Sequence, residues 1–431
     1  MATSSPQRTP IWHRDLHRRA YCPVCDREDE KRLLLDIDSL VFPYPRLNFA
    51  TCAACGTVFQ LDFQAPSYER ETEYSNPSAL KFYIEQGAAL DILALPAFIA
   101  RCRDVKTYLE VGCGFGFGLD FARRAFGWKV LGIDPSPNAR EGSRLLNLPI
   151  ENIYLSRDHY ADEEKSTVVA ALEVVEHVNR PKEFLAVLKS LLAPDGLLIL
   201  TTPDAGYIEF AKDKPGLLNI LAPGYHAVLF TAKSLEIALR ELGFADVQVR
   251  VRGATLLAIC GTGSSAIDIE AAFEPNIFEL YLRGRLTDVE PGSMLAIGFG
   301  YRLLKHLVNR GLYVEAQPVL ERLVYEIRGR DLIDILDPHA VLARRAHAQT
   351  FESFMAELPA CIVGLFYFTA MLRLNQFEDR SGAVTLFYAA HVMAGVFRRA
   401  MLDFGIDDGE TADLELRARE HIRLVLGWMT D

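Results

Sequence analysis

The sequence predicts an α/β protein: a doubly wound, mostly parallel sheet, preceded by a small cysteine-bearing module and followed by an all-α region. Three observations carry that expectation. Between Thr107 and Thr202 short apolar runs alternate with amphipathic stretches, the pattern of strands paired in parallel through helical crossovers. Two C-x-x-C pairs stand ahead of that alternation. From about residue 266 the apolar spacing is predominantly helical. The 431 residues suffice for two or three domains. The expected boundaries are a tail and metal module over 1–62, a sheet domain with leading helices over 63–262, and a helical domain over 263–431.

The centre of the pattern is residues 107–134. Tyr108 to Val111 reads as a buried strand, Gly112, Gly114, Gly116 and Gly118 as a loop, Leu119 to Phe126 as a helix and Lys129 to Ile133 as the next strand. Asp134 closes it, 18 positions after Gly116, near the spacing at which a carboxylate meets a ribose. A dinucleotide fingerprint requires Gly or Ala at its third site. The three possible registers put Phe117, Leu119 or Phe121 there, so a pyrophosphate ligand is disfavoured. The pattern present is Glu110-x-Gly112-Cys113-Gly114-x-Gly116.

Downstream, Ser136 caps a helix to about Asn147, Ile150 to Leu155 is a third strand followed by Asp158, and Thr167 to Leu172 is a fourth. Then come Glu173-Val-Val-Glu176-His177-Val-Asn-Arg-Pro181, a helix, the turn Pro194-Asp195-Gly196, a strand to Thr201, and Tyr225-His226 before a helix from Ser234 to Leu242. Ala245 to Val251 and Ala254 to Ile259 form a last strand pair. Ligand belongs at the carboxyl ends of such strands, where Gly112, Asp134 and Glu173 fall. A histidine titrating near neutrality can take a proton from a reacting group, which makes His177 and His226 acid/base candidates.

The glycine loop resembles motif I of class I S-adenosylmethionine-dependent methyltransferases. The stretch Glu-Val-Val-Glu-His-Val-x-x-Pro, with the later Leu-Leu-Ala-Pro-Asp-Gly-Leu-Leu-Ile-Leu-Thr-Thr-Pro, resembles the ubiquinone-biosynthesis O-methyltransferase group and the related sugar C-methyltransferases. The likeness covers 107 to about 260, and Asp195-Gly196 departs from the family's usual Gly-Gly. The sugar enzymes also carry an N-terminal cysteine zinc domain, which favours that branch. The resemblance implies a Rossmann-like methyltransferase sheet that binds S-adenosylmethionine. Glu110, Gly112, Cys113, Gly114, Gly116 and Glu173 would serve its methionine part, Asp134 its ribose and Asp158 its adenine. His177, His226 and Tyr225 would serve catalysis. Two readings of Glu173, Glu176 and His177 stay open: a divalent-metal triplet, as in the quinone branch, or cofactor contact and helix capping. Tyr68, Tyr74 and Tyr83 lie in the segment that covers the cofactor in such enzymes. The implied acceptor is a small molecule, a sugar or glycan-pathway intermediate. A phenolic or quinone precursor is the alternative, and a non-catalytic cofactor-binding scaffold acting through the helical region is the third.

The net charge of −11 argues against a nucleic-acid or anionic-membrane partner. No stretch approaches a membrane span, and residues 1–19 lack a secretory apolar core, so a cytoplasmic location is expected. Of eight cysteines, Cys22, Cys25, Cys52 and Cys55 have zinc-site spacing. Four thiolates leave no open position, so the zinc is expected to be structural. The aromatic run Phe366-Tyr367-Phe368 is expected in a core or in a homo-oligomer contact of the C-terminal helices.

Overall fold

The computed structural model describes residues 9–70, 76–156, 165–212, 216–261, 273–406 and 408–430. The chain divides into two compact units. The first comprises Met1–Glu71 with Leu93–Phe273, the second Thr72–Ile92 with Glu274–Asp431.

The first unit holds two sheets. Strands β1 (Ile11–Trp12), β2 (His17–Tyr21), β3 (Glu28–Asp38), β4 (Arg46–Thr51) and β5 (Val58–Gln60) form an antiparallel sheet around the cysteine pairs. Its sequence alternates only partly, because β3 buries Leu33, Leu34 and Leu35 together where a bulge shifts its register against β4. The second sheet contains β6 (Thr107–Val111), β7 (Lys129–Ile133), β8 (Ile150–Glu151), β9 (Ser166–Leu172), β10 (Leu192–Pro203), β12 (Asp246–Arg252) and β13 (Thr255–Gly261). Its order is β12-β13-β10-β9-β6-β7-β8. β6 to β10 are mutually parallel, and β13 runs antiparallel to both its neighbours. The chain winds one way from β6 through β7 to β8 and the other from β9 outward, so the topological switch lies between β6 and β9.

Local chemistry fixes the crossovers. Gly116 starts the helix Phe117–Phe126 at φ 87°. Ser136 accepts from Ala139 N to start Pro137–Leu146, which Asn147 ends in the left-handed region. Thr231 and Ser234 form a reciprocal cap on Ala232–Glu241. Leu197 to Leu200 are fully buried, as a central strand covered on both faces requires. The turn expected at Pro194-Asp195-Gly196 lies inside β10 as an irregularity between Leu192 and Leu197.

Two expected borders fall elsewhere. β11 (Val228–Leu229) pairs with β5, so the cysteine module and the sheet domain share a sheet rather than parting near residue 62. The helix Pro77–Glu85, expected with the sheet domain, belongs to the helical unit. There Lys81 Nζ donates to the carbonyls of Met355 and Leu358. Glu85 accepts from Ala360 N and from Arg330, and a Cβ on Gly298 would lie 2.1 Å from Ile84 O. The rest of that unit is helical, with hairpins Met294–Asn309 to Tyr313–Asp331 and Ile362–Gln376 to Arg380–Phe404. Phe366, Tyr367 and Phe368 are buried in its core. Among the described residues no single helix is long and apolar enough to cross a membrane.

Candidate active site

A cavity of about 480 Å³ opens at the carboxyl ends of β6, β7 and β9. Gly112 supplies its floor, Asp134 to Ser136 and Ile153 to Leu155 one side, Glu173 and His177 the other, and Ala65, Pro66 and Tyr68 the roof. Asp134 and Glu173 line it, while neither Lys nor Arg does among the described residues. Such a surface repels phosphates and suits a ligand carrying an ammonium or a sulfonium.

The glycine loop is built for a close approach. Gly112 has φ 71°, and a Cβ there would lie 2.3 Å from Val174 Cγ2. Gly114 donates its N–H to Asp134 Oδ2 at 2.8 Å, and Ser136 N donates to Oδ1 at 2.8 Å. Each Asp134 oxygen therefore keeps one acceptor site for a ligand diol. Asn152, which the sequence gave no reason to select, donates to the carbonyls of Asp134 and Ser136 and so fixes the acidic turn.

Other expected loop residues face away from the cavity. Glu110 is buried beneath the loop, its carboxyl against the Cα of Gly118, where a Cβ would come within 2.6 Å. Its Oε2 makes no well-formed hydrogen bond. Burial, reinforced by the charge of Asp134, pushes its pKa up to about 8. Cys113 is buried, and desolvation raises its thiol well above its usual range. Gly116 packs against Leu148 and Ile150. Asp158 and Tyr74 lie outside the described residues.

Opposite the loop stands a cluster from two segments. Glu173 adopts φ 54°, a costly conformation for a side chain of that type, and its N–H donates to Thr201 O at 3.0 Å. Its side chain is exposed toward the cavity, and desolvation by the surrounding protein lifts its carboxyl to about 7. Glu176 is fully buried, accepts from Thr202 Oγ1 at 2.9 Å and leaves Oε1 without a hydrogen bond, 3.9 Å from His177 Nε2. Burial and then the charge of Glu173 raise its carboxyl well above the usual range.

His177 Nδ1 lies 3.1 Å from Tyr225 O and 3.0 Å from the Tyr68 hydroxyl. A carbonyl only accepts, so Nδ1 carries the proton and Nε2 keeps its lone pair. Burial lowers the His177 pKa to about 4. His226 donates from Nδ1 to Ile220 O at 2.8 Å, and its ring stands 4.7 Å from that of His177. Burial and then His177 hold it well below its usual pKa. The site thus contains two neutral imidazoles, but His177 lines the cavity whereas His226 lies behind it. Tyr225 touches the cluster through its carbonyl. Tyr68 brings its hydroxyl to His177, while its backbone N–H donates to Tyr154. Glu176, His177 and His226 can place ligand atoms within 4.8 Å of one another. Glu173 is not part of that group, which differs from the triplet the motif suggested.

In the cysteine module, Cys22 Sγ lies 3.7 Å from Cys55 Sγ, and Cys25 Sγ 3.6 Å from Cys52 Sγ. A tetrahedral zinc with bonds of about 2.3 Å needs sulfurs about 3.8 Å apart, so the four residues fit that ion. The knuckle turns are closed by Asp26 N to Cys22 O and Gly56 N to Cys52 O. A second cavity of about 400 Å³ lies between this module and the sheet domain, bordered by Arg18, Tyr21, Gln60, Asp62 and Asn179. Asn179 also borders the first cavity.

Residues 83–249 match a family described as Methyltransferase domain. The chain is 31% identical over 151 residues to a ubiquinone biosynthesis O-methyltransferase of Rhodopseudomonas palustris, covering 33% of this chain and 59% of that protein. It is 33% identical over 109 residues to a mitochondrial ubiquinone biosynthesis O-methyltransferase of Schizosaccharomyces pombe, covering 24% and 39%. The chain thus spans less than two thirds of these relatives. Among solved structures, an O-methyltransferase family protein from Burkholderia thailandensis superposes with a TM-score of 0.36 at 15% identity, over 47% of this chain and 65% of that one. The strand winding, the cavity at its switch point and the matched family agree: the chain carries a class I S-adenosylmethionine-dependent methyltransferase domain.

Proposed function

We propose that the protein methylates a small molecule, most naturally a sugar or glycan-pathway intermediate, at the cavity between the glycine loop and His177. The observation that carries this reading is a cavity with two carboxylates, no lysine or arginine among the described residues and a neutral histidine on its far wall. S-Adenosylmethionine supplies a methyl group on a sulfonium when bound. In this reading Asp134 takes the ribose hydroxyls, Glu173 takes the ammonium of the methionine end, and Gly112 lets the ligand lie against the backbone. His177 Nε2 accepts the proton of the acceptor. Tyr68 and the Tyr225 carbonyl fix that ring, and His226 and Glu176 support it from behind. A divalent ion at Glu176, His177 and His226 is the other use of the same atoms. Four thiolates hold a structural zinc.

Two features support the sugar branch. One is the cysteine module. The other is the second cavity, whose guanidinium, carboxylate, amide and aromatic walls suit a polyhydroxylated ring. A phenolic or quinone precursor is the second reading, favoured by the relatives at 31% and 33% identity.

Titration calorimetry with S-adenosylhomocysteine tests the site. The native protein should bind, and Asp134→Ala should bind at least about tenfold more weakly, the loss expected for charge-assisted hydrogen bonds. Equal affinities would remove Asp134 from the site, and no binding by either would remove the cofactor assignment. Transfer of labelled methyl to nucleotide sugars against catechols then separates the two branches, and label in catechols alone would overturn the sugar reading. Binding without turnover on either panel would leave the scaffold reading.

A further inference from the structure

We propose that Lys31 is the counter-ion of the four-cysteine site and protects its thiolates. Lysine is almost never fully buried unless paired, yet Lys31 on β3 is 1% exposed. Its ammonium contacts two groups, the Asp29 carboxylate and Cys52 Sγ at 3.5 Å. Asp29 is half exposed and could hold a lysine at the surface, so it gives no reason for the burial. Cys52 is fully buried and gives one.

The charge balance supplies the rest. Four thiolates and one divalent ion leave two net negative charges in a region largely closed to water. An ammonium in contact with one sulfur offsets one of them, and at low dielectric that attraction is strong. Thr57, also fully buried, places its hydroxyl 3.2 Å from Cys55 Sγ. Both buried polar side chains thus serve the second C-x-x-C pair, the charged Lys31 at Cys52 and the neutral Thr57 at Cys55. A hydrogen-bonded, charge-balanced thiolate is a poorer nucleophile and a more firmly held ligand than a bare one.

The inference rests on zinc occupying the cluster, and the assay reads that first. Zinc-loaded full-length protein would be treated with N-ethylmaleimide, and released zinc followed with 4-(2-pyridylazo)resorcinol. Zinc affinity would be measured separately by chelator competition. Lys31→Met should release zinc about tenfold faster and bind it about tenfold more weakly, the range typical of groups that support metal ligands. Lys31→Arg, which keeps the charge, and Asp29→Asn, which removes only the outer partner, should stay within about twofold of native. Lys31→Met behaving as native would overturn the proposal, as would Asp29→Asn matching Lys31→Met. If Lys31→Met purifies without zinc, full zinc in Lys31→Arg supports the charge requirement. Zinc loss in both variants would reduce Lys31 to a packing residue and end the proposal. A native protein without zinc would instead refute the zinc assignment itself.

Discussion

Glu110 opens the glycine motif, but its carboxyl is folded under the loop rather than into the cavity. A carboxyl raised to about 8 from an ordinary 4.5 keeps its proton in the folded state while the unfolded chain has lost it. Its contribution to stability is therefore complete below about 4.5 and lost as pH rises to about 8. Glu110→Gln should flatten the fall in thermal midpoint between pH 5 and 8.5 relative to native. Parallel curves would show that Glu110 does not titrate in that window. His177 has the opposite sign. Lowered to about 4, it stabilises the fold fully above its unfolded value of about 6.5 and loses that contribution as pH falls toward 4. As a base it should be worth about a hundredfold or more in kcat, so His177→Gln should abolish most turnover and leave S-adenosylhomocysteine affinity within about threefold. A matching loss of affinity would instead make His177 a cofactor contact. The sequence identified both histidines as chemical groups. That only His177 reaches the cavity depends on Tyr225 and Ile220 carbonyls that a linear motif does not register.

The helices show why residue type alone is a weak guide. Gly142 and Gly284 both lie inside helices, Pro137–Leu146 and Pro275–Asp288. A Cβ on Gly142 would lie 1.9 Å from Phe115 O, whereas one on Gly284 meets nothing within 4 Å. Gly142→Ala should therefore destabilise by about 2 kcal/mol or more and weaken cofactor binding, because it pushes the glycine loop outward. Gly284→Ala should stabilise by up to about 1 kcal/mol through helix propensity. Chemical denaturation of the two variants checks both signs, and destabilisation by Gly284→Ala would contradict the open space beside it. The third parallel strand is also shorter than its apolar run suggests. It ends at Glu151 because the Asn152 side chain turns to hold Asp134 O and Ser136 O.

For the whole molecule, the borders follow contacts rather than composition. Cutting the chain at residue 273 leaves the helix Pro77–Glu85 without the helices that bury Ala79 and Ile84, so that fragment should aggregate. Removing residues 72–92 as well should restore solubility. Equal solubility of both fragments would place that helix with the sheet domain after all. Zinc extraction should reach the Glu176, His177 and His226 cluster, since β5 pairs with β11, which begins two residues after His226, and Ala227 N donates to Glu176 O. Chelation is thus expected to lower the thermal midpoint of the first unit and its methyl transfer together. Unchanged turnover after complete zinc removal would refute that coupling.

The sequence by itself determined the alternation of strands and helices, the glycine loop with its closing carboxylate, and the paired cysteines. These are local signals, set by periodicity, φ freedom and ligand spacing within short stretches. Only the tertiary structure decided which of them share a cavity. Glu110 turned inward, Tyr68 came across to His177 from more than a hundred positions away, and Lys31 was buried against Cys52. Each of these depends on packing between segments remote in the chain, and no single stretch of sequence carries that information.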